Sequence, residues 1–314
     1  MKKILLISCL FIGLSACEQD DTQVTDLPNP TLLFPNLDFR GENYRVSPDL
    51  SYIAFYSADP TIRESLLQLY EVATGEITVI GGQIGEGVFW ADDSNQFAYV
   101  ESTVRDGDDF TSRVVVYDAE TQQRQNMGSL NLNAIFQIDF LPDGDGLQVI
   151  GFEGDLQANR EIWRYHYGDE AWTKAAEVQG AFIDGSYQFA PDGEILHIVI
   201  ALSSGFQGLY TFTIASEESG IRGATKLSHN DIWLSPDGEQ MAFINQDGLR
   251  SEVWVRDLAT EAETLLYVLT RSGDQSRSTL RHLTWTTEGD LVALQNDFDL
   301  QSGFVPSLLQ IEIR

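Results

Sequence analysis

Cationic and thiol side chains are the scarce ones in this chain. Its 314 residues hold 19 Lys and Arg against 48 Asp and Glu, a formal net charge of −29. Such a balance repels phosphate backbones and anionic headgroups, so nucleic acid is excluded as a partner. Cys9 and Cys17 are the only cysteines, and both stand near the N-terminus. No thiol is left after residue 17 for a disulfide or a metal cluster. Histidine is limited to His166, His197, His229 and His282. Gly-x-Ser-x-Gly, His-Glu-x-x-His, Cys-x-x-Cys and a phosphate-binding Gly-rich loop opening a helix are all missing. With them go the usual signs of a serine hydrolase, a zinc peptidase, a thiol redox protein and a nucleotide-binding enzyme. Helical periodicity is scarce too, so a β core must supply the stability.

What the chain does contain is a repeat. Acidic residues at Asp49, Asp93, Asp143, Asp192, Asp237 and Glu288 recur in steps of 44, 50, 49, 45 and 51 residues. Three residues before each acid stand Val46, Trp90, Phe140, Phe189, Leu234 and Trp285, and five before it Tyr44, Val88, Ile138, Tyr187, Ile232 and Leu283. Apolar residues at alternate positions describe a half-buried strand. Four and six residues after the acid a second strand begins, as at Ile53 and Phe55 or Met241 and Phe243. Between the two lies Pro-Asp-Gly at 142–144, 191–193 and 236–238, where Pro presets φ and Gly accepts a positive one. Third strands end at Glu71, Asp118, His166, Thr213, Asp257 and Glu312, and a weaker fourth follows in most units, as at Ile77 to Ile80 and Thr264 to Val268. A period of this length belongs to the blades of a β-propeller. The sixth unit stops at Arg314, after its third strand, and an unpaired edge invites aggregation. The short apolar run Thr31 to Phe34 is therefore expected to become the outermost strand of the last blade. The predicted fold is an all-β, six-bladed β-propeller closed by an N-terminal strand.

The units resemble the Ser-Pro-Asp-Gly repeats of TolB-type and WD40-like propellers. The likeness lies in Val-Ser-Pro-Asp at 46–49 with Ile53-Ala54-Phe55, in Leu-Ser-Pro-Asp-Gly at 234–238 with Met241-Ala242-Phe243, and in Leu-Tyr-Glu-Val-Ala-Thr-Gly at 69–75. It covers nearly all of the chain after residue 30. Such propellers serve as binding platforms, as gates of peptidases and as frames of some sugar-cleaving enzymes, so the resemblance implies fold more than function.

The N-terminus has the parts of an export signal. Lys2 and Lys3 precede an apolar stretch from Ile4 to Gly13, shorter than the roughly 20 residues that span a bilayer. Leu14-Ser15-Ala16-Cys17 then resembles the lipobox of bacterial lipoproteins. That resemblance implies a signal peptide at 1–16, a lipid on Cys17, an acidic flexible tether over 17–30 and a propeller over 31–314. Glu18, rather than Asp, after the lipidated cysteine favours the outer membrane. Loss of Lys2 and Lys3 leaves 17 basic and 48 acidic residues, a mature net charge of −31.

If the short turns face one side, the connections between second and third strands face the other, where long loops on a rigid frame carry function. The longest are expected over Ser57 to Leu66, Glu101 to Arg113, Gly151 to Glu161 and Gln295 to Ser307. Arg63, Arg113, Arg160 and Arg250 near the ends of such loops are candidates to line the channel mouth and receive a ligand carboxylate. The commoner outcome is a surface ion pair with the loop's own acids, which contributes little. Asp106, Asp108 and Asp109 place three carboxylates on four residues and are the candidate Ca²⁺ ligands, although the spacing is not that of an EF-hand. His229 and His282, just ahead of inner strands, are candidates to face each other near the channel, whereas His166 and His197 read as packed strand residues. Trp172 falls in the turn region Gly168 to Lys174, where packing of a longer loop is expected ahead of an exposed, sugar-stacking role. Together these readings describe a lipid-anchored, monomeric ring that binds envelope proteins without catalysis; the alternatives are a propeller-type polysaccharide lyase or hydrolase and a metal or small-ligand sensor.

Overall fold

In the computed structural model the described chain runs from residue 27 to 313, apart from 28, 36, 40–41, 60–63, 83–86, 93–94, 107–108, 155–158, 180–185, 202–206, 226–231, 248–249, 271–277 and 300–302. Every regular element in it is a strand, and the strands form six four-stranded antiparallel sheets. The first blade consists of β2 (Glu42–Val46), β3 (Tyr52–Asp59), β4 (Glu64–Glu71) and β5 (Ile77–Gly82), and the second of β6 (Val88–Trp90), β7 (Gln96–Asp106), β8 (Asp109–Asp118) and β9 (Gln123–Leu130). β10 (Ala134–Phe140), β11 (Gly146–Phe152), β12 (Arg160–His166) and β13 (Ala171–Val178) make the third, and β14 (Ser186–Phe189), β15 (Ile195–Ala201), β16 (Gln207–Thr213) and β17 (Glu218–Thr225) the fourth. The fifth holds β18 (Ile232–Leu234), β19 (Gln240–Asp247), β20 (Arg250–Asp257) and β21 (Glu263–Thr270). The sixth holds β22 (Thr279–Trp285), β23 (Leu291–Asp299) and β24 (Gly303–Ile311), and its fourth strand is β1 (Thr31–Phe34). The first strands touch in the order β2, β6, β10, β14, β18, β22 and back to β2, which closes the ring.

In the first, third, fourth and fifth blades the repeated acid explains why the first strand reverses where it does. In the first blade Ser47 Oγ donates to Asp49 Oδ1 (2.6 Å), which also accepts from Ser51 N (3.0 Å), while Leu50 N donates to Ser47 O (2.9 Å). The fifth blade repeats this with Ser235 Oγ (2.5 Å) and Glu239 N (3.0 Å) on Asp237 Oδ1, and with Gly238 N on Ser235 O (2.8 Å). The chain must then pass through positive φ. Gly238 does so at 71°, whereas Leu50 occupies the matching position at 62°. A leucine is strained there, so the carboxylate must hold the first turn in shape. Burial pushes the Asp49 carboxyl up, but bonds from Ser47, Ser51 and Asn95 outweigh it and hold the group below its ordinary value. Asn95 belongs to the second blade and, in the amide orientation that satisfies both groups, reaches Asp49 at 2.8 Å.

The core is a ring of six clusters, one in each interface between neighbouring blades. Leu67, Leu69, Phe97 and Tyr99 join the first two blades, and Val114, Met127, Ile138 and Val149 the second and third. Ile162, Val178, Phe189 and Ile198 fill the next gap, followed by Val199, Leu209, Met241 and Phe243. Val253, Leu266, Leu283 and Leu291 join the fifth to the sixth. The last interface, between the sixth blade and the first, is built differently. There β1 pairs with β24 (Thr31↔Gln310, Leu32↔Leu309), Leu37 N donates to Pro306 O (2.9 Å), and the buried Phe39 ring lies 4.8 Å from Phe55 and 4.7 Å from Tyr70. Leu37, Phe39, Val292 and Leu308 share one cluster with Ile53 and Phe55. The expected N-terminal closing strand is therefore present, and the segment after it seals the same seam.

Several expected loops are strands instead. Residues 101–106 and 109–113 continue β7 and β8, with Thr103↔Ser112, Val104↔Thr111 and Asp106↔Asp109 in register, and the sixth blade extends to Asp299↔Gly303. Carboxylates suggested solvent loops there, but Thr, Val and Phe between them favour an extended hairpin that tolerates polar edges. Trp172 lies on β13 and is half-buried, because its indole Nε1 donates to Met127 O (2.7 Å) across to the second blade. His282 is within β22 rather than ahead of it.

Two outcomes follow for stability. Removal of residues 29–36 is expected to lower the melting temperature sharply, and Phe39→Ala to cost about 3–5 kcal/mol in a denaturant titration; an unchanged melt for the deletion rejects closure by β1. Asp237→Asn is expected to cost about 1 kcal/mol at neutral pH. Its bonds to Ser235 and Glu239 N hold the Asp237 carboxyl below the ordinary 3.8, so the folded state binds fewer protons and the contribution is full above about pH 4. It is lost as the pH falls through the depressed value, and stability curves of parent and variant should converge below it. A pH-independent gap contradicts the assignment.

Candidate functional site

Alternation along an inner strand sends one set of side chains into the blade and the other towards the axis. In β2, Tyr44 and Val46 are buried in the blade interface, so Asn43 and Arg45 point to the axis. The same register in the other five blades gives a cavity of about 470 Å³ lined by all six first strands. Four residues before each acid, its wall carries Arg45, Phe89, Asp139, Gln188, Trp233 and Thr284. Two positions further out, it carries Asn43, Gly87, Gln137, Ser186 and His282. The corresponding residue of the fifth blade, 231, is outside the described residues. Pro48, Pro191 and Pro236 of the short turns border the other end, so the cavity follows the axis from one face towards the other.

Blade-to-blade hydrogen bonds fix this wall. Trp90 Nε1 donates to Arg45 O (3.0 Å) and Trp285 Nε1 to Trp233 O (2.9 Å), so an indole from one blade holds the backbone of the preceding one at a channel position. Thr284 Oγ1 donates to Val46 O (3.4 Å), and Gln188 Oε1 accepts from Leu234 N (3.1 Å). Arg45 donates from Nη1 to Tyr44 O (2.9 Å). A wall tied in this way presents its side chains without paying much ordering entropy on binding.

Two titratable groups in the wall are perturbed. Asp139 keeps part of its surface open to the channel but is surrounded by protein on the scale that governs hydration. Burial, with the nearby charge of Asp92, pushes its carboxyl well above the usual range, and the bond from Phe140 N (3.0 Å) only partly offsets this. His282 is buried, and burial followed by the charge of Arg45 pushes it well below its ordinary value, so it is neutral at pH 7. Its ring meets Trp233 edge-on at 5.4 Å, and its Nδ1 has no hydrogen-bond partner among the described residues. Paired perturbations in one cavity are a common mark of a binding or reacting site.

The residues singled out from the sequence fare unevenly. Arg113 pairs with Glu101 (3.1 Å), as does Arg124, and Arg250 lies 3.7 Å from Glu252, so both candidate arginines sit beside acids of their own blades. Arg160 is no channel-mouth arginine. It is fully buried, with its guanidinium over the rings of Phe136 (5.0 Å) and Phe152 (4.8 Å), where aromatic faces stabilise the cation away from solvent. Asp106 and Asp109 are opposed strand residues, whereas Arg63, Asp108, His229 and Cys17 lie outside the described residues. Of the two proposed histidines only His282 is placed, and it does reach the channel. Among the described residues no three His, Cys, Asp or Glu side chains come together as metal ligands would. Arg45, Phe89, Asp139, Gln188 and Trp233 were missed. Their signal was the position between the repeated apolar residues of each first strand, the half of the alternation that does not repeat.

The chain matches no protein-family model and no curated protein sequence. Among solved structures it is similar to a protein of Agrobacterium tumefaciens described as a TolB, with a TM-score of 0.54 and 14% identity over 90% of this chain and 91% of that one. TolB from Acinetobacter baumannii gives a TM-score of 0.51 and 17% identity over 70% of this chain, which spans only 52% of that protein. An oligogalacturonate lyase from Vibrio parahaemolyticus gives 0.52 and 14% over 88% and 79%, and an oligogalacturonate lyase in complex with manganese 0.53 and 14% over 88% and 78%. Identities this low speak for fold alone, and the chain has the fold of a TolB-like six-bladed β-propeller.

Proposed function

We propose that this chain is a non-catalytic binding module, held at the bacterial envelope by a lipid on Cys17 and engaging envelope proteins through the face that carries the channel mouth and the long hairpins. The observation that carries the reading is the channel wall. Positions that build blades repeat from unit to unit, whereas those that face the axis present a cation, a carboxyl, two aromatic rings, an amide and a hydroxyl. A frame that is uniform where it packs and diverse where it is accessible suits recognition. The TolB-like fold supports protein partners, and the lipobox-like Leu14-Ser15-Ala16-Cys17 supports the anchor. A mature net charge of −31 favours partners with a basic surface.

A second reading has its own observation. The fold is also similar to oligogalacturonate lyases, and the channel places Asp139 and His282, both perturbed, on first strands of different blades. A neutral imidazole and a carboxyl pushed towards its acid form are groups that could exchange protons with a polysaccharide. We derive no metal-dependent step, because the described residues bring no three ligating side chains together.

Capture of the tagged full-length chain from detergent-solubilised envelopes is expected to return a stoichiometric partner that is released as salt is raised, with Cys17→Ser found in the soluble fraction. Empty captures, together with cleavage of a uronic-acid polymer on addition of Mn²⁺, overturn the binding reading in favour of the enzyme.

A further inference from the structure

The outer strand of every blade has one unpaired edge, and natural proteins guard such edges with charge, bulges or cover. β9 carries Arg124 and exposes mainly polar residues, and β13 carries Lys174 and Glu177. β5, the outer strand of the first blade, reads Ile-Thr-Val-Ile-Gly-Gly and has no charge. Among the described residues the exposed large apolar side chains are Leu32, Ile77 and Val79, and two of the three lie on β5, where Val79 is 58% exposed. We propose that β5 is the docking edge for an extended, basic segment of a partner protein, which adds to the first blade as a fifth strand with apolar residues at alternate positions.

Register and charge together define the occupant. Tyr70 pairs with Ile77 and Gln68 with Val79, so these side chains share the face of the first blade that is turned to the sixth. Tyr70 belongs to the seam cluster, against which Leu33 and Phe34 of β1 pack, and Ile77 and Val79 carry that face outward to the rim without cover. A strand added at β5 sets its own apolar side chains beside them, while its main chain meets the open N–H and C=O groups of the edge. Charge then selects the partner. Glu71 and Glu76 flank the turn that leads into β5, joined by Glu71 N donating to Glu76 O (2.9 Å). Among the described residues the Glu71 carboxylate accepts from Thr74 Oγ1 (2.8 Å), and neither acid has a cationic partner. Lys or Arg at the end of the incoming strand nearest Ile77 supplies the missing charge. A second copy of this chain brings the same acids and its own excess of carboxylates, so self-pairing at this edge is opposed. The contact lies on the rim of the ring, so it goes beyond binding through the channel face and does not rest on it.

The test is a fluorescence-anisotropy titration of the purified full-length protein in detergent with the labelled peptide Lys-Lys-Thr-Val-Thr-Val-Thr. Glu-Glu-Thr-Val-Thr-Val-Thr and the strand-breaking Lys-Lys-Thr-Val-Pro-Val-Thr serve as controls. The first peptide is expected to bind at least about tenfold more tightly than either control, and to slow hydrogen exchange of the β5 amides. Val79→Lys, at an exposed position, should weaken it by about tenfold or more with an unchanged melting temperature. Glu76→Lys should reverse the preference between the Lys and Glu peptides. No binding up to about 5 mM overturns the proposal, as does binding that Val79→Lys leaves unaltered. Concentration-dependent dimers that Val79→Lys disperses would assign the edge to a second copy and overturn it equally. Partner capture through the channel face is expected to survive Val79→Lys, so the two readings fail separately.

Discussion

Pairing of Thr31–Phe34 with β24 is the contact on which the other interfaces depend. A propeller blade is a twisted sheet with two apolar faces, and each face is covered only if the ring is complete. Were the seam open, Val292, Leu294 and Leu308 on one side and Ile53, Phe55 and Tyr70 on the other would meet water, and β24 would present a bare edge. Leu37 and Phe39 reinforce the strand by filling the wedge between the two blades that it joins. The first and last parts of the chain thus meet in one seam. Such a topology makes long-range contacts late and closure cooperative.

Closure also sets the channel. Short turns held by Ser47 with Asp49 and by Ser235 with Asp237 fix where the first strands of the first and fifth blades end, and the period-two alternation then dictates which side chains face the axis. Indole donors from Trp90 and Trp285 transmit that register from blade to blade by binding the backbone at Arg45 and Trp233. A slip of one residue in any first strand would exchange its apolar packing set for its channel set. The two functions of the strand, packing and presentation, are therefore inseparable.

Most of the fold was legible because its signals repeat. Alternating apolar residues before each acid, Pro-Asp-Gly turns and the missing fourth strand of the sixth unit were enough to place blades and seam. The site was less legible, for physical reasons that differ by residue. Arg45 and Asp139 occupy the non-repeating half of the alternation, so comparison between units passes over them. Arg160 looked like a loop cation, and its burial over Phe136 and Phe152 depends on rings about two dozen and eight residues before it in the chain. Trp172 read as part of a turn rather than a strand because its acceptor, Met127 O, belongs to another blade. The long hairpins of the second and sixth blades looked like loops because their polar side chains were weighed above their β-branched and aromatic ones.

A closed ring with a chemically varied axis accounts for both the stability and the binding reading. In it the N-terminal strand is part of the cooperative unit rather than a frayed end. Native-state hydrogen exchange of the full-length protein tests this most directly. The account predicts that the paired amides of Thr31–Phe34 and of β24 exchange only through global unfolding, with protection equal to that of β22. Rapid exchange of β1 while β22 stays protected would contradict it.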